Sequence, residues 1–269
     1  MMKCFRPKEN LSVWRGWLVF SLAFLLAGQA AAADVRLADR WVAVVEQAQK
    51  KKDPGAQVEY LSASFLEVPY RANTLAGGPG QSEVLVAQLD AVDCFTLLDY
   101  VEAMRRSVTA TQFRQQLITV RYHNEIISWQ TRKHFFTDWL DAGQPLVEEV
   151  TASIGGEFVR SIDKSLNSRE SGEIVLQGVP ARDRKIRYIP TKNLSVAIRS
   201  RLKNGDYIGI YSPQSWLDVS HVGILVRRNG LEYLRHASSR SGIRQVVDSP
   251  LLDYLQNKPG IIIGRPRPL

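Results

Sequence analysis

Residue types suited to nucleophilic chemistry are scarce in this chain. Two cysteines, Cys4 and Cys94, and four histidines occur among its 269 residues. A cysteine thiolate is a strong nucleophile when a neighbouring base accepts its proton. Cys4 lies in a segment with the pattern of a cleavable leader, so Cys94 is expected to be the thiol of the mature protein. What positions Cys94, and which base accompanies it, therefore decides the chemistry open to the chain.

The first 33 residues have the three-part pattern of a secretory leader. Basic residues are spread between Lys3 and Arg15, an apolar stretch runs from Trp17 to Ala27, and four alanines, Ala30–Ala33, form a small-residue cleavage zone. We therefore predict a signal peptide at residues 1–33. The remaining residues, 34–269, are long enough for one elaborated domain, and we predict a single domain there.

The predicted leader also predicts where the mature chain is located and the redox conditions that Cys94 meets there. Gln29 follows Gly28 where a lipoprotein leader would need cysteine, so we expect no stable membrane anchor after leader removal. The protein is then periplasmic if the cell has an outer membrane and secreted otherwise. Cysteines of exported proteins usually occur in pairs because the compartment is oxidising. An unpaired Cys94 therefore indicates a thiol kept for its reactivity.

The sequence places Cys94 at the start of a helix. Apolar residues follow at helical spacing from Leu97 to Met104, and Asp93 is a good N-cap. In the first turn, the helix dipole and free backbone N–H groups favour thiolate over thiol, and the same amides could stabilise an oxyanion. The alternative interpretation is a buried cysteine that packs as a small hydrophobe.

Two of the histidines fall on a predicted β-hairpin. Asn229-Gly230 is the strongest short signal for a two-residue type I′ turn, and it separates strand residues 221–228 from residues 231–236. If these two residues form the turn, Arg228 pairs with Leu231. The register of the whole hairpin follows from that pair.

Counting back from the turn brings the two histidines together. Gly223 falls opposite His236, and His221 shares the face of Gly223 because side chains alternate along a strand. The imidazoles are then diagonal neighbours, with the glycine leaving room between them. We expect both to point to the side where the Cys94 helix docks.

One cysteine and two histidines suit two kinds of chemistry. In the first, one imidazole takes the thiol proton and the other fixes its tautomer and direction. In the second, the three side chains bind zinc, which needs a fourth ligand or an open position, and no CxxC or HExxH spacing supplies one. A lone histidine would indicate a surface or packed residue. Two on one hairpin face favour the nucleophile interpretation, with no metal and no cofactor.

The chain resembles the NlpC-type cell-wall hydrolases, a papain-like superfamily, through Asp93-Cys94, Ser220-His221-Val222-Gly223-Ile224 and His236-Ala237-Ser238. It is more specifically similar to the NlpC-like N-acetylmuramoyl-L-alanine amidases, long catalogued as a domain of unknown function. The resemblance runs from about Leu37 to the C-terminus. The motifs of that narrower family are Val68-Pro69-Tyr70, Val120-Arg121-Tyr122, residues 132–139, Tyr188-Ile189-Pro190, residues 202–206 and residues 217–221.

The resemblance implies a fold, a triad and a substrate. The implied fold is papain-like and of NlpC type, with a nucleophile helix packed on an antiparallel sheet. The implied catalytic residues are Cys94, His221 and His236, and Tyr70 is implied near the oxyanion, with simple packing against Pro69 as the alternative. The implied reaction is hydrolysis of the amide between N-acetylmuramic acid and L-alanine in muropeptides, with a preference for anhydro-muropeptides and without a cofactor.

Two positions depart from the superfamily pattern. Phe95-Thr96 stands where Ser-Gly would follow Asp93-Cys94, and His123-Asn124-Glu125 stands where a basic residue and a glycine are expected. These departures leave the implied chemistry in place and bear on the substrate preference.

A further group of candidates lies between the helix and the hairpin. Arg132 is a candidate for meeting a substrate carboxylate, and His134 and Asp138 for lining the substrate site. Trp139 could stack on a sugar, although packing is favoured for it. The alternative is a structural cluster in which Asp138 pairs with Arg132. Asp93 completes the candidates near the oxyanion.

Charge limits the kinds of partner. The chain has a formal net charge of +8. The predicted leader contributes four basic residues and one acidic residue, so the mature chain keeps about +5. This mild basic bias suits acidic muropeptides or peptidoglycan fragments. Nucleic acid is not expected as a partner, because no basic stripe is interleaved with aromatic residues.

The order of predicted elements indicates an α+β fold. Helices are expected over residues 37–50 and 195–202, residues 71–82 predict a loop, and residues 155–190 are the least legible. An antiparallel sheet is expected from four strands, residues 206–211, 221–228, 231–237 and 260–264.

Three functions stay open. The first is the exported cysteine amidase. The second is an NlpC-type endopeptidase that cleaves the D-glutamyl–diamino acid bond of the stem peptide. The third is a non-catalytic envelope-binding protein, which would have no need of Cys94, His221 and His236 together.

Overall fold

Helices dominate residues 39–121, because apolar residues recur there every three to four positions. The computed structural model describes residues 39–141 and 145–269, and the predicted leader at residues 1–33 lies outside the described residues. The described helices are α1 (Asp39–Gln49), α2 (Pro54–Ala63), α3 (Cys94–Arg106), α4 (Phe113–Arg121), α5 (Thr151–Gly155), α6 (Val196–Arg199) and α7 (Leu251–Leu255).

Strands dominate the later part of the chain. The described strands are β1 (Ala76–Gly78), β2 (Gln81–Val84), β3 (Val147–Glu149), β4 (Arg160–Leu166), β5 (Arg182–Pro190), β6 (Tyr207–Tyr211), β7 (Val219–Arg228), β8 (Leu231–Ala237), β9 (Val246–Pro250) and β10 (Gly260–Pro266). The main sheet has the order β4-β5-β10-β6-β7-β8-β9, β3 pairs with β10, and β1 and β2 form a separate hairpin. All the named pairs are antiparallel, which with the helices confirms the α+β prediction.

Three local predictions need correction. The loop predicted over residues 71–82 contains most of the β1–β2 hairpin, because Gly77 and Gly80 adopt the positive φ angles of its turn region. The helix predicted over residues 195–202 has only the four residues of α6. Strand β9 was not predicted, and residues 155–190 prove to hold the β4–β5 pair.

Each face of the sheet has its own apolar core. One core joins α3, through residues such as Leu97 and Val101, to Val222 and Ile224 of β7. The other joins Leu251 and further residues of α5–α7 to Leu225 of β7 and Leu234 of β8. Fully burying one such side chain stabilises a fold by about 1.5–3 kcal/mol, so helices on both sides fix the position of β7.

Among the described residues, no helix is both long enough and apolar enough to cross a membrane.

Candidate active site

Cys94 occupies the first position of α3 because Asp93 caps the helix. The Asp93 carboxylate accepts hydrogen bonds from the backbone N–H groups of Phe95 and Thr96 at 3.0 and 2.8 Å, and the Thr96 hydroxyl oxygen accepts from the backbone N–H of Asp93 at 2.9 Å. This is a reciprocal capping box. It explains why threonine can stand where the superfamily pattern has glycine.

The hairpin predicted from Asn229-Gly230 is present with the expected register. Both residues have positive φ angles, 51° and 76°, as a type I′ turn requires. Arg228 pairs with Leu231, and the pairing continues in register as far as Ile224 and Arg235. A turn of fixed length therefore sets the position of each histidine.

His221 and His236 form a hydrogen bond, with 2.9 Å between His221 Nε2 and His236 Nδ1. The prediction that the two imidazoles are neighbours on one face is confirmed. The second nitrogen of His236, Nε2, lies 3.0 Å from the Ser249 hydroxyl oxygen on β9. Sequence reasoning missed Ser249, because its place depends on β9 pairing with β8.

Gly223 does not serve the purpose predicted for it. A Cβ atom at this position would lie 2.7 Å from Leu234 Cδ1 and 2.8 Å from the Arg235 carbonyl oxygen. The neighbours of the glycine are therefore the β8 backbone and a core leucine. The prediction that it leaves room between the imidazoles is wrong, because those contacts come from the strand alongside.

The side of the sheet predicted for the imidazoles also needs correction. Val222 and Ile224 face the core that contains α3, so alternation turns His221 toward the core that contains α7. Tyr254 of α7 lies against both imidazoles, with ring-centre distances of 5.9 Å to His221 and 4.8 Å to His236. The sequence carries no short motif for this tyrosine, which α7 brings back from far along the chain.

Cys94 nevertheless meets His221 in one cavity of about 80 Å³. The first turn of α3 forms one part of the wall and the beginning of β7 another. The lining residues are Cys94, Phe95, His134, Phe136, Leu217, Asp218, Val219, Ser220, His221 and Val222.

Burial keeps Cys94 and the two histidines neutral. It raises the pKa of the Cys94 thiol to about 12, with a smaller contribution from the Asp93 carboxylate, while backbone hydrogen bonds from Val222, Cys94 and Phe95 act in the opposite direction. Burial likewise lowers the pKa of His221 to about 3 and that of His236 to about 4. The expectation of a resting thiolate is therefore wrong, because desolvation outweighs the helix start.

Tyr70 lies beside the Cys94 segment, as expected. Its backbone pairs with Val92 on one side, and its N–H donates to the Arg244 carbonyl oxygen at 2.8 Å on the other. Burial raises the pKa of the Tyr70 phenol, with further contributions from Cys94 and Asp93. The hydroxyl is therefore protonated at neutral pH and able to donate.

Arg132 is committed to a structural contact. Its Nε donates to Glu83 Oε1 at 2.9 Å, its Nη2 donates to Glu83 Oε2 and to the Ala76 carbonyl oxygen, and the Tyr122 hydroxyl donates to the same carboxylate. These bonds hold the β1–β2 hairpin to the chain after α4. The prediction that Arg132 meets a substrate carboxylate is not supported, because Glu83 already occupies its guanidinium.

Asp138 and Trp139 also belong to the scaffold. Asp138 is 3% exposed and accepts hydrogen bonds from Arg182 and Arg184 at 2.8 and 3.0 Å, so it pairs with these two arginines and not with Arg132 as the alternative predicts. Trp139 is fully buried and packs edge-on against Phe95, as the packing alternative expects.

His134 is the member of that group that reaches the cavity. Its Nε2 donates to the Trp129 carbonyl oxygen at 2.8 Å, and burial lowers its pKa. A neutral ring with a proton on Nε2 leaves Nδ1 as an acceptor. Asp218 also lines the cavity, and its buried carboxylate accepts from the Thr137 N–H at 2.7 Å and anchors the chain before β7.

Within the two described ranges, no group of three or more His, Cys, Asp or Glu side chains is arranged to hold a metal ion. The nitrogens with which His221 and His236 face each other are joined in their hydrogen bond. The donor set therefore fits a base and its orienting partner better than a zinc site.

The sequence of this chain matches the model of a known family. A family model described as AmiA-like, N-acetylmuramoyl-L-alanine amidase-like, matches residues 60–261. The search of curated proteins found no match.

Solved structures share the fold. A Legionella pneumophila protein assigned to a family of unknown function is 21% identical, with a TM-score of 0.71 over 84% of this chain and 93% of its own. An N-acetylmuramoyl-L-alanine amidase from Bacteroides uniformis is 27% identical, with a TM-score of 0.63 over 79% of this chain and 98% of its own. Another structure of such an amidase from that bacterium gives 26% identity and a TM-score of 0.65 over 80% and 99%.

The matched range covers well over half of the chain and includes Tyr70, Cys94, His221 and His236. This chain therefore belongs to the AmiA-like family of N-acetylmuramoyl-L-alanine amidase-like proteins.

Proposed function

We propose that this protein is a cysteine amidase of NlpC type with a papain-like fold. Its substrate is the amide between N-acetylmuramic acid and L-alanine in muropeptides, including anhydro-muropeptides. One observation carries the proposal: the His221–His236 hydrogen bond adjoins the cavity that Cys94 and His221 share. The chemistry of the family supplies the substrate class.

The first step transfers the thiol proton and forms a bond from sulfur to carbon. His221 Nε2 is held by His236, so Nδ1 is the nitrogen left for the thiol proton. As this proton moves, the Cys94 sulfur attacks the carbonyl carbon and the carbonyl oxygen becomes an oxyanion. A neutral thiol beside a neutral imidazole needs no preformed ion pair, because the proton leaves as the bond forms.

The remaining steps return the enzyme to its starting state. The carbon–nitrogen bond breaks, the amine of L-alanine takes the proton from His221, and a thioester to the lactyl group is left on Cys94. Water then attacks the thioester and gives a proton to His221. The carbon–sulfur bond breaks, and the leaving sulfur takes that proton back. The products are a lactyl carboxylic acid and a peptide with a free L-alanine amine.

Backbone amides and Tyr70 are the proposed oxyanion donors. The backbone N–H groups of Cys94 and Val222 lower the pKa of the Cys94 thiol, so they lie beside the sulfur that attacks the carbonyl. The Phe95 N–H is already bonded to the Asp93 carboxylate. The protonated Tyr70 hydroxyl is a further donor beside them. Asp93 acts by holding the helix start and does not contact the substrate.

The orientation of His221 depends on a chain of tautomers. If His221 carries its proton on Nε2 and donates to His236 Nδ1, His236 must carry its own proton on Nε2 and donate to Ser249. This series of hydrogen bonds ends at the Ser249 hydroxyl oxygen, which can accept the hydrogen bond from His236 Nε2. Ser249 is therefore a positioning residue for the base.

Export of the mature domain, residues 34–269, forms part of the proposal. The basic, apolar and alanine-rich parts of residues 1–33 support a cleaved leader, and Gln29 argues against a lipid anchor. N-terminal sequencing of the native protein should give a start near residue 34 in the periplasmic or secreted fraction. A native protein that is acylated, or that begins at residue 1 in the envelope fraction, would contradict export as a free domain.

Mass analysis of the products tests the reaction. Purified muropeptides should yield a free L-alanyl peptide, and C94A should yield none. Release of L-Ala–D-Glu, alone or on its glycan, would show the endopeptidase instead. Muropeptide binding without turnover would show a non-catalytic binding protein. Thiol alkylation should stop the reaction while chelators leave it unchanged, and the reverse result would support zinc.

A further inference from the structure

Arg244 is a cationic side chain next to the site that no step above uses. Its guanidinium carbon lies 4.8 Å from the centre of the Tyr70 ring. The arginine is exposed, and among the residues the structure describes it has no carboxylate partner. Arg132, in contrast, is occupied by Glu83.

Backbone hydrogen bonds limit the distance from Arg244 to the nucleophile. The Tyr70 N–H donates to the Arg244 carbonyl oxygen at 2.8 Å, and the next N–H, that of Arg71, donates to the Val92 carbonyl oxygen at 2.9 Å. Hydrogen-bonded neighbouring backbones lie about 4.8 Å apart, so the Arg244 backbone is about 10 Å from Val92, two residues before Cys94. The electrostatic effect of Cys94 on the Tyr70 phenol agrees with this closeness.

The backbone of Arg244 does not favour an arginine. Its φ angle is +48°, a left-handed conformation that glycine adopts without cost and other residues at about 1–2 kcal/mol. Gly242, two residues earlier, has a positive φ angle as well. The Arg244 Nη2 donates a long hydrogen bond of 3.5 Å to the Tyr70 carbonyl oxygen. A charged side chain held in such a turn, stacked on a ring and without a carboxylate partner among the described residues, is placed for an external anionic partner.

We propose that Arg244 binds a free carboxylate on the stem peptide of the substrate, two residues beyond the scissile carbonyl. This rests on the proposed function, because the amidase reaction sets where the peptide begins. Two extended residues span about 7 Å. The Arg244 backbone is about 10 Å from the Cys94 segment, and its guanidinium, which lies over the Tyr70 ring, shortens the distance that the peptide must cover. A guanidinium suits this role because it binds a carboxylate through two parallel hydrogen bonds.

The test uses two muropeptides that differ only at this carboxylate, one with the free acid and one with the carboxamide. Binding is measured by calorimetry in the C94A background, so that the result does not depend on turnover. The C94A protein should bind the free acid at least about tenfold more tightly than the amide. Adding R244Q should remove the preference by weakening the free acid alone, and R244K should keep part of it.

R240Q is the matched control. Arg240 is an exposed arginine in the same turn, and its carbonyl accepts the Arg244 N–H, but it makes no described contact with Tyr70. R240Q should keep the full preference, which separates a local contact from general attraction of anions. Equal binding of acid and amide by C94A, an unchanged preference in R244Q, or equal losses in R244Q and R240Q would overturn the proposal.

Turnover of the wild-type protein separates the two proposals. If free L-alanyl peptide is released but the binding preference is absent, the carboxylate contact is wrong and the amidase stands. If the preference for the free acid is present but a different bond is cut, the contact between Arg244 and the carboxylate is kept. The position of the peptide relative to Cys94 is then the part that is wrong. In the amidase itself, R244Q should raise KM for the free acid about tenfold and change kcat less than twofold.

Discussion

At the scale of single residues, Cys94 is stored as a neutral thiol. Burial raises its pKa to about 12, so the thiolate fraction at neutral pH is very small. Oxidation of cysteine proceeds through the thiolate. In an oxidising compartment, the location proposed for this protein, a half-buried thiol that stays neutral resists oxidation until substrate and His221 draw off its proton.

The two histidines should differ in what their loss costs. H221A should lower kcat almost as far as C94A, because nucleophile and base act as a unit. H236Q should cost less, since an amide oxygen can still accept the bond from His221 Nε2. Turnover at saturating substrate measures both, with H123Q, a change outside the cavity, as control. Undiminished turnover by H236A would contradict the triad.

At the scale of elements, the caps and turns around the site follow local rules. Asp93 and Thr96 close the start of α3, and Asn229-Gly230 sets the register of β7 and β8. Asn124 stands where a glycine is expected from the resemblance, and it adopts a left-handed conformation at φ 53°. Asparagine is one of the few residues besides glycine that tolerate this conformation.

Asp93 should affect both helix stability and thiol chemistry. D93A removes the N-cap and should lower the free energy of unfolding by about 1 kcal/mol. It also removes a carboxylate that raises the pKa of Cys94, so that pKa should fall. D53A is the matched control, because Asp53 caps α2 by accepting from the Ala56 N–H at 2.7 Å. D53A should lower the free energy of unfolding by a similar amount but leave the pH dependence of Cys94 alkylation unchanged. Equal pH profiles of alkylation for D93A and D53A would contradict the role of Asp93.

Gly223 should prove a stability residue. G223A places a methyl group against Leu234 and the Arg235 carbonyl oxygen, and such overpacking costs about 1–3 kcal/mol. Chemical denaturation should show this loss, while kcat of the folded fraction should change little. G230A, in the turn where a Cβ would meet open space but φ is +76°, is the control for strain alone. A large fall in kcat without loss of stability would restore the view that Gly223 separates the imidazoles.

The sequence predicts those parts of the site that depend on short-range geometry. A two-residue turn and alternation bring His221 to His236, and a capping residue brings Cys94 to a helix start. Arg132 shows what local patterns cannot predict, because its partner Glu83 lies on a hairpin 49 residues away. Ser249 and Tyr254 are likewise brought in by long-range packing of β9 and α7.

At the scale of the whole molecule, the site lies where two parts of the chain and two apolar cores meet. The helical part contributes Cys94 from the α3 side of the sheet, and β7 and β8 contribute the histidines from the α7 side. The imidazoles are neutral because the surrounding packing excludes water. Tyr254 is the side chain of α7 that contacts both rings, so burial by a distant helix tunes the base.

Removing Tyr254 should therefore change the pH dependence of the reaction. Catalysis needs neutral His221, whose pKa burial lowers to about 3, so kcat/KM of the wild type should stay flat as the pH falls to about 4. Y254A admits water, so the pKa should rise toward the ordinary value of about 6.5, and activity should decline below about pH 6. Y254F keeps the ring and should behave like the wild type. L252A, which alters an exposed residue of α7, controls for loosening of the helix. The measurement is kcat/KM between pH 4 and 8, with unfolding followed in parallel. If kcat/KM of folded Y254A stays flat below pH 6, α7 does not set the pKa of His221.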